Sequence, residues 1–205
     1  MSSEAIPNTA EASATGTTAA RKATVQEYFE LERASEVRHE YIDGEIVAMA
    51  GETPIHNVIA GNVYYRFRSA FEIRQCEVYI EGVRTRVSPT RYRYPDIVAL
   101  CGEAKFDEDK PPLLLNPQVI VEVLSASTES TDRENKFDEY RQLETLTDYV
   151  LVAQDRVEVT HYARQSARQW LVTIYVEPNA ALSFPSLEFS LTVADVYRKT
   201  ALAAA

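Results

Sequence analysis

Two acidic residues lie inside short apolar segments, and they are the first candidates for a functional site. Asp96 belongs to the run 95–100, and Glu122 belongs to the run 119–124. Continuous apolar runs of this length, rich in β-branched residues, predict strands that are covered on both faces. A carboxylate in such a strand is costly to bury alone, so it needs a basic side chain or a metal ion as its partner.

A metal site follows if the two strands pair side by side. Their carboxylates would then converge near one edge of the sheet, and carboxylate oxygens, a backbone carbonyl and water suit Mg²⁺ or Mn²⁺. Zinc is disfavoured because the three histidines and two cysteines lack a ligand spacing. A divalent ion held in this way can activate water and neutralise charge on a phosphoryl group.

A cation is available on the element that follows Glu122. Asp132, Lys136 and Tyr140 are spaced i, i+4, i+8 and share one face of a predicted helix over 132–143. In one interpretation Lys136 projects toward the carboxylates, where it steadies a water molecule and binds phosphate. In the other interpretation, Asp132 and Lys136 form an exposed ion pair that contributes roughly 0.2–0.5 kcal/mol to the stability of the helix.

The elements around these residues follow from caps, turns and periodicity. A capping box formed by Thr24 and Glu27 starts a short helix, and Asp43-Gly44 predicts a hairpin turn. Apolar residues at helical spacing predict a long helix from Pro54 to about residue 74. Strands are predicted over 77–87, 94–101, 118–124 and 149–153, with an antiparallel pair over 157–162 and 170–176, a turn over 179–185 and a closing helix over 191–197.

This order predicts an α/β fold whose mixed sheet is flanked by helices. The helix between the Glu122 strand and the 149–153 strand predicts a right-handed crossover. Residues 1–23 have almost no large apolar side chains and are predicted to be a flexible tail. The remaining residues, 24–200, are predicted to form a single domain.

The charge and the cysteines narrow the function classes. The 205 residues carry a net charge of −10, which argues against sequence-independent binding of nucleic acid. Seven arginines between residues 66 and 93 nevertheless form a local basic segment. No apolar run approaches the roughly 20 residues of a membrane span. Cys76 and Cys101 are too few for a disulfide framework, which predicts reduced thiols and a cytoplasmic location.

Three stretches of the chain resemble the bacterial Uma-type family of restriction-endonuclease-like proteins, within the PD-(D/E)XK nuclease superfamily. They are 41–46, 94–98 and 121–125, the last followed by Ser127, Thr128, Asp132, Lys136 and Tyr140. The resemblance covers about residues 24–197. It implies metal-dependent hydrolysis of phosphodiesters, with Asp96, Glu122 and the backbone carbonyl of Val123 as metal ligands. The superfamily lysine lies two residues after the glutamate, where this chain has Leu124, and Lys136 is its expected substitute.

Three further residues are candidates for the same site. His56, near the start of the long helix, either helps to bind the metal or is a capping or surface residue. Glu40 and Glu45 flank the hairpin turn, and each either supports the metal site or is an ordinary solvated carboxylate.

Four arginines are candidates for contacts with DNA. Arg84 and Arg86 share one strand face, as do Arg91 and Arg93, and all four precede Asp96. They either contact phosphates or form the exposed polar face of a hairpin.

Taken together, these features predict a restriction-endonuclease-like fold with an extra N-terminal hairpin and a C-terminal antiparallel strand pair. The predicted function is a Mg²⁺-dependent or Mn²⁺-dependent endonuclease that acts on DNA. The alternatives are a non-catalytic protein that keeps the nuclease fold for binding or assembly, and a hydrolase of another phosphoester. Because cutting both strands of DNA needs two sites, a homodimer is expected.

Overall fold

A computed structural model describes residues 21–49, 51–107, 112–125 and 135–204. Its helices are α1 (Val25–Ala34), α2 (Pro54–Ala70), α3 (Phe137–Tyr140) and α4 (Val193–Val196). Its strands are β1 (His39–Ile42), β2 (Glu45–Ala48), β3 (Cys76–Ile80), β4 (Thr85–Ser88), β5 (Arg91–Arg93), β6 (Ile97–Cys101), β7 (Val119–Leu124), β8 (Asp148–Ala153), β9 (Val159–Ser166), β10 (Gln169–Tyr175), β11 (Ala181–Phe184) and β12 (Phe189–Thr192).

A six-stranded mixed sheet forms the centre of the fold, with the strand order β10-β9-β8-β7-β6-β3. Within it β7 and β8 are parallel, and the other neighbouring strands are antiparallel. The connection from β7 to β8 contains α3, as expected for a crossover between parallel strands. The predicted mixed sheet flanked by helices is therefore confirmed.

The two faces of this sheet are covered by different helices. On one face, α2 buries Ile59, Val63 and Phe67 in a cluster that also holds residues of α4. On the other face, Tyr140 of α3 packs in a cluster with Ile120 of β7. Because side chains alternate along a strand, successive residues of β7 face α2 and α3 in turn.

A second, four-stranded sheet with the order β2-β1-β5-β4 contains the predicted hairpin. Its turn has positive φ at Asp43 (50°) and Gly44 (95°), the conformation that favours Asp-Gly. The predicted capping box of Thr24 and Glu27 starts α1. Residues 1–20 of the predicted tail lie outside the described residues, while the N–H of Ala23 donates to the carbonyl of Gly44 (2.8 Å).

The single strand predicted over 77–87 is wrong. The chain leaves the central sheet at Glu81 (φ 39°) and Gly82 (φ 122°), and β3 and β4 belong to different sheets. The strand predicted over 94–101 is likewise shorter, because β6 begins only at Ile97. Residues 94–96, which connect β5 of the second sheet to β6 of the central sheet, therefore belong to neither strand, and Asp96 is one of them.

The C-terminal predictions also need correction. The turn predicted over 179–185 contains β11, which pairs with β12, and the helix predicted over 191–197 is the end of β12 followed by one turn of α4. Thr192 caps that turn with a capping box through Asp195. Of the helix predicted over 132–143, the structure describes residues 135–143, where a π-helical turn at 135–136 leads into α3 and the helix ends at Tyr140. The helix α2 ends at residue 70 rather than near 74.

The prediction of reduced thiols is wrong. The antiparallel register of β3 and β6 places Cys76 opposite Cys101, and a disulfide joins them. Among the helices of the described residues, none combines the length and the apolar character that a membrane crossing requires.

Candidate active site

The two carboxylates meet because of the register between β6 and β7. These strands are antiparallel with Ile97 opposite Val121, and Asp96 and Glu122 each lie one residue beyond that pair, at the same end of the two strands. Residues opposite each other in an antiparallel pair point to the same face. Both side chains are buried, with Asp96 8% and Glu122 3% exposed.

The backbone of β7 orients the Asp96 carboxylate. The N–H of Val123 donates to Asp96 Oδ2 at 2.6 Å, so this oxygen is held against the strand. The other oxygen, Oδ1, faces His56 on α2, at 3.5 Å from its Nε2. The sequence thus positions Asp96 from two sides, through a strand backbone and through a helix.

Two side chains from the segment of α3 converge on Glu122. Lys136 Nζ lies 3.1 Å from Glu122 Oε1, and the hydroxyl of Tyr140 donates to the same oxygen at 3.0 Å. Lys136 is 9% exposed and Tyr140 is fully buried. Burial, followed by the charge of Glu122, raises the pKa of Tyr140 well above its usual value, so the phenol stays a neutral donor.

Asp132, the third residue of the predicted helical face, lies outside the described residues. The predicted ion pair between Asp132 and Lys136 therefore stays a prediction. The described partner of Lys136 is Glu122.

These residues line an open cleft of about 330 Å³. Its lining includes Asp96, Glu122, Val123 and Lys136, together with His56 and Glu40. Two carboxylates, an ammonium group and a strand backbone therefore share one open cleft, the kind of place in which a functional site is sought.

Glu52 is a residue of this cleft that the sequence analysis missed. Glu52 Oε2 lies 3.0 Å from His56 Nδ1, and one ligand atom from each of Glu52, His56 and Asp96 lies within 4.8 Å of the others. Burial and the charge of Asp96, against the opposing charge of His56, raise the pKa of Glu52. The i, i+4 spacing of Glu52 and His56 was the available sequence signal.

The surroundings of His56 favour a positive charge. Burial opposes protonation, but the interactions with Asp96 and then Glu52 outweigh it and raise the pKa of His56. The side chain is 2% exposed and does not cap α2, because Thr53 accepts the capping hydrogen bond from the backbone N–H of His56. His56 is thus neither a capping nor a surface side chain.

Arg93, a candidate for DNA contact, instead joins the second sheet to α3. It is 3% exposed, and its Nε and Nη2 donate to the two oxygens of Glu139 at 2.9 and 2.7 Å. Its Nη1 donates to Glu40 at 2.6 Å. Glu40 therefore lines the cleft while it is paired with Arg93, and Glu139 follows Lys136 by three residues.

The other three arginines also have partners within the protein. Arg91 pairs with Asp43 and Glu139, and Arg86 pairs with Asp107. Arg84 is buried with its guanidinium over the rings of α1 aromatic residues. Arg86 and Arg91 remain about one third exposed, at 37% and 33%, whereas Arg84 and Arg93 are inaccessible to a phosphate in this conformation.

Glu45 lies apart from these residues. It is exposed, it pairs with Ile42 across the hairpin, and it is not among the residues that line the cleft. The structure therefore brings together Asp96, Glu122, Lys136, Tyr140, His56 and Glu40, and leaves Glu45 on the hairpin surface.

The chain is similar to known proteins along most of its length. Residues 25–194 match the Uma2 family, described as "Putative restriction endonuclease". Two uncharacterized proteins of Synechocystis sp. are similar along most of their length. The protein sll1609 is 33% identical, covering 78% of this chain and 92% of the relative, and slr1290 is 32% identical, covering 86% and 92%.

A solved structure shares the fold. It is the crystal structure of "a putative nuclease belonging to DUF820" from Anabaena variabilis, which aligns with a TM-score of 0.64 over 80% of this chain and 91% of that chain. The sequence identity is 19%, so this likeness concerns the fold alone.

Proposed function

Because the chain belongs to the Uma2 family, we propose that it is a metal-dependent endonuclease that hydrolyses phosphodiester bonds of DNA. The observation that carries the proposal is the contact of Lys136 with Glu122, beside Asp96, in one cleft. A nuclease needs a cation to neutralise the phosphate and a group to orient water, and these three side chains supply the means for both.

The donor atoms fit a hard divalent cation. Asp96, Glu122 and the backbone carbonyl of Val123 would hold Mg²⁺ or Mn²⁺, since carboxylate and carbonyl oxygens are the ligands that these ions prefer. Two buried carboxylates in one cleft repel each other, and this repulsion favours the binding of a cation there. When bound, the cation would supply Lewis acidity and a water molecule of lowered pKa.

The side chains of the α3 segment would orient the reacting groups. Lys136 would donate hydrogen bonds to the attacking water and to a non-bridging phosphate oxygen, because its ammonium has three donors and no acceptor. Tyr140 and Lys136 together fix Glu122 Oε1.

Two observations support DNA as the substrate: the description of the family, and the exposure of two of the four candidate arginines. Arg86 and Arg91 are the two of the four arginines that remain accessible for phosphate contacts. Arg84 and Arg93 are left out of this role because they are buried.

A homodimer would place two such clefts on the two strands of a duplex, related by twofold symmetry. Light scattering of the purified chain would give its molar mass, and a monomer bound to DNA would oppose this part of the proposal. A cytoplasmic location stays a prediction, and the disulfide between Cys76 and Cys101 weighs against it.

The proposal is tested with supercoiled plasmid incubated with Mg²⁺ or Mn²⁺. The wild-type chain should nick or linearise the plasmid, and Glu122→Gln should reduce the rate by about 10²–10³-fold, because a cation ligand contributes several kcal/mol to the transition state. The amide keeps the volume of the carboxylate. Glu45→Gln, which removes one carboxylate outside the cleft, is the matched control and should cleave at the wild-type rate.

Cleavage by Glu122→Gln at the wild-type rate would reject this assignment of the site. A wild-type chain that cleaves no DNA with either ion, while remaining folded, would favour the non-catalytic binding or assembly role.

A further inference from the structure

The central sheet ends at β10, and this strand leaves a row of apolar side chains exposed. Leu171, Val172, Ile174 and Val176 are 56%, 49%, 60% and 52% exposed. β10 pairs with β9 on one side, and in the strand order of the described residues its other edge has no neighbour. Such an edge presents backbone N–H and C=O groups beside apolar side chains, which is the surface that another strand can cover.

The opposite end of the same sheet shows how an edge is protected. There β3 carries the exposed charge of Glu77, and the chain turns away directly after it at Glu81-Gly82. Charges, prolines and bulges are the usual devices that keep edge strands from pairing. Residues 169–176 carry no charge and no proline, and the register shift of β10 lies at its start. The rest of β10 is therefore a regular edge that is open to pairing.

The side chains of this edge are complementary to those of a second copy of the chain. In an antiparallel pair with a twofold axis at Thr173, residues equally far from Thr173 on the two chains lie opposite each other. Such opposite residues point to the same face of the sheet and pack together. The three pairs formed in this way are apolar on both sides: Trp170 with Val176, Leu171 with Tyr175, and Val172 with Ile174.

The charges that flank the strand favour the same antiparallel arrangement. Arg168 lies before β10 and Glu177 lies after it, and both are exposed. In the register about Thr173, Arg168 of one copy lies opposite the residue that follows Glu177 of the other, and the symmetry repeats this contact at both ends. A parallel pairing in register would instead bring like charges together. Charge complementarity of this kind fixes the orientation and register of an interface.

We propose that β10 is a dimer interface, in which the β10 strands of two copies pair antiparallel about Thr173 and join the two central sheets into one. The inference rests on the proposed function only for the purpose of the dimer, which is to bring two clefts to one duplex. Because β8 and β9 separate β10 from β7, the pairing leaves both clefts open.

The test measures the molar mass of the full chain by analytical ultracentrifugation over a dilution series. The wild-type chain should be a dimer. Val172→Lys/Ile174→Lys should raise the dissociation constant of the dimer by at least about 100-fold, because like charges then lie opposite each other on both sides of the axis. Val37→Lys/Ile73→Lys, which changes two exposed apolar residues away from β10, is the matched control and should dimerise like the wild type.

Charge complementation identifies the surface. Val172→Glu/Ile174→Glu should also be a monomer by itself, for the same reason as the lysine variant. An equimolar mixture of the glutamate and lysine variants should form a heterodimer, since each lysine then lies opposite a glutamate.

A cysteine on the axis tests the register. Residues opposite each other in an antiparallel pair have Cα atoms about 4.5–5.5 Å apart, a distance that a disulfide can span. Thr173→Cys should therefore give a covalent dimer after mild oxidation, whereas Ser69→Cys, at an exposed position of α2, should not. Equal cross-linking of the two variants would reject the register about Thr173.

Circular dichroism checks that the variants are folded, and if the lysine variant is not, the cysteine variants carry the test. A wild-type chain that is a monomer at every concentration would overturn the interface, and so would a dimer that the folded lysine variant retains. Protection of the β10 amides from hydrogen exchange in such a monomer would assign the edge to another segment of this chain.

These results are distinguishable from a failure of the proposed function. Plasmid cleavage that depends on Glu122, in a chain that is a monomer, would overturn the β10 interface alone. A dimer that the lysine variant loses and the mixture restores, in a chain that cleaves no plasmid, would support the interface and reject the nuclease.

Discussion

The two halves of the candidate site are held in place by different means. Asp96 and Glu122 belong to β6 and β7 or their ends, and the pairing of two central strands fixes their spacing. Lys136 directly precedes α3 (Phe137–Tyr140), and its side chain makes no capping hydrogen bond to that helix. Most of the stability of a helix in a protein comes from tertiary packing, so contacts of α3 with the rest of the fold hold the lysine in position.

The contact that holds it comes from the other sheet. The guanidinium of Arg93 on β5 donates to both oxygens of Glu139, and Arg91 contacts the same carboxylate at 3.1 Å. Such bidentate pairs fix orientation as well as distance. The strand half of the site therefore depends on the register of β6 and β7, whereas the lysine half depends on a buried ion pair between residues 46 positions apart.

The largest expected effect comes from breaking that ion pair. Arg93→Met should lower the free energy of unfolding by about 3–5 kcal/mol, because it leaves buried Glu139 and half-buried Glu40 without their common cation. The measurement is urea unfolding. Arg141→Met is the matched control and should cost less than about 1 kcal/mol, because the ion pair that Arg141 makes among the described residues is an exposed one with Asp138.

The double variant Arg93→Met/Glu139→Met sharpens the comparison, since replacing a buried pair by apolar residues is often neutral. It should recover much of the stability but not the cleavage, because α3 is no longer held by an oriented pair. Equal loss of stability in Arg93→Met and Arg141→Met would refute the role assigned to Arg93.

A smaller effect is expected from the lysine itself. Lys136→Met keeps the apolar stem and removes the ammonium beside Glu122, and it should reduce plasmid cleavage roughly a hundredfold, the low end for a group that orients or transfers protons. Mg²⁺ affinity should change much less, because the carboxylates remain. Lys105→Met, on the loop after β6, is the control. If Lys136→Met cleaved plasmid at the wild-type rate, Lys136 would be only an ion-pair partner of Glu122 and not part of the reaction.

The strand half of the site was the part that sequence could predict. Apolar runs around Asp96 and Glu122 predict central strands, and adjacent strands bring opposite residues together. Turn chemistry at Asp43-Gly44 and the cap at Thr24 are equally local, and both were confirmed. Each of these signals lies within a few residues of the feature that it predicts.

The parts that failed depend on distant contacts. Nothing near Arg93 in sequence indicates that Glu139 is its partner, so the sequence predicts a DNA contact or an exposed face where the structure has a buried ion pair. The break at Glu81-Gly82 divides one alternating run between two sheets, and periodicity alone cannot assign a strand to a sheet. The disulfide follows from the register of β3 and β6, which is likewise a tertiary property.

The smallest effect concerns the hydroxyl that joins the two halves. Tyr140 of α3 donates to Glu122 of β7, and this hydrogen bond to a buried carboxylate should contribute about 1.5 kcal/mol. Tyr140→Phe should lower stability by that amount and slow cleavage by less than about tenfold, because Lys136 still contacts the same oxygen. Tyr65→Phe, at an exposed position of α2, is the control. If Tyr140→Phe slowed cleavage as much as Lys136→Met, the lysine could not hold Glu122 alone, and the division into a self-sufficient strand half and a dependent helix half would fail.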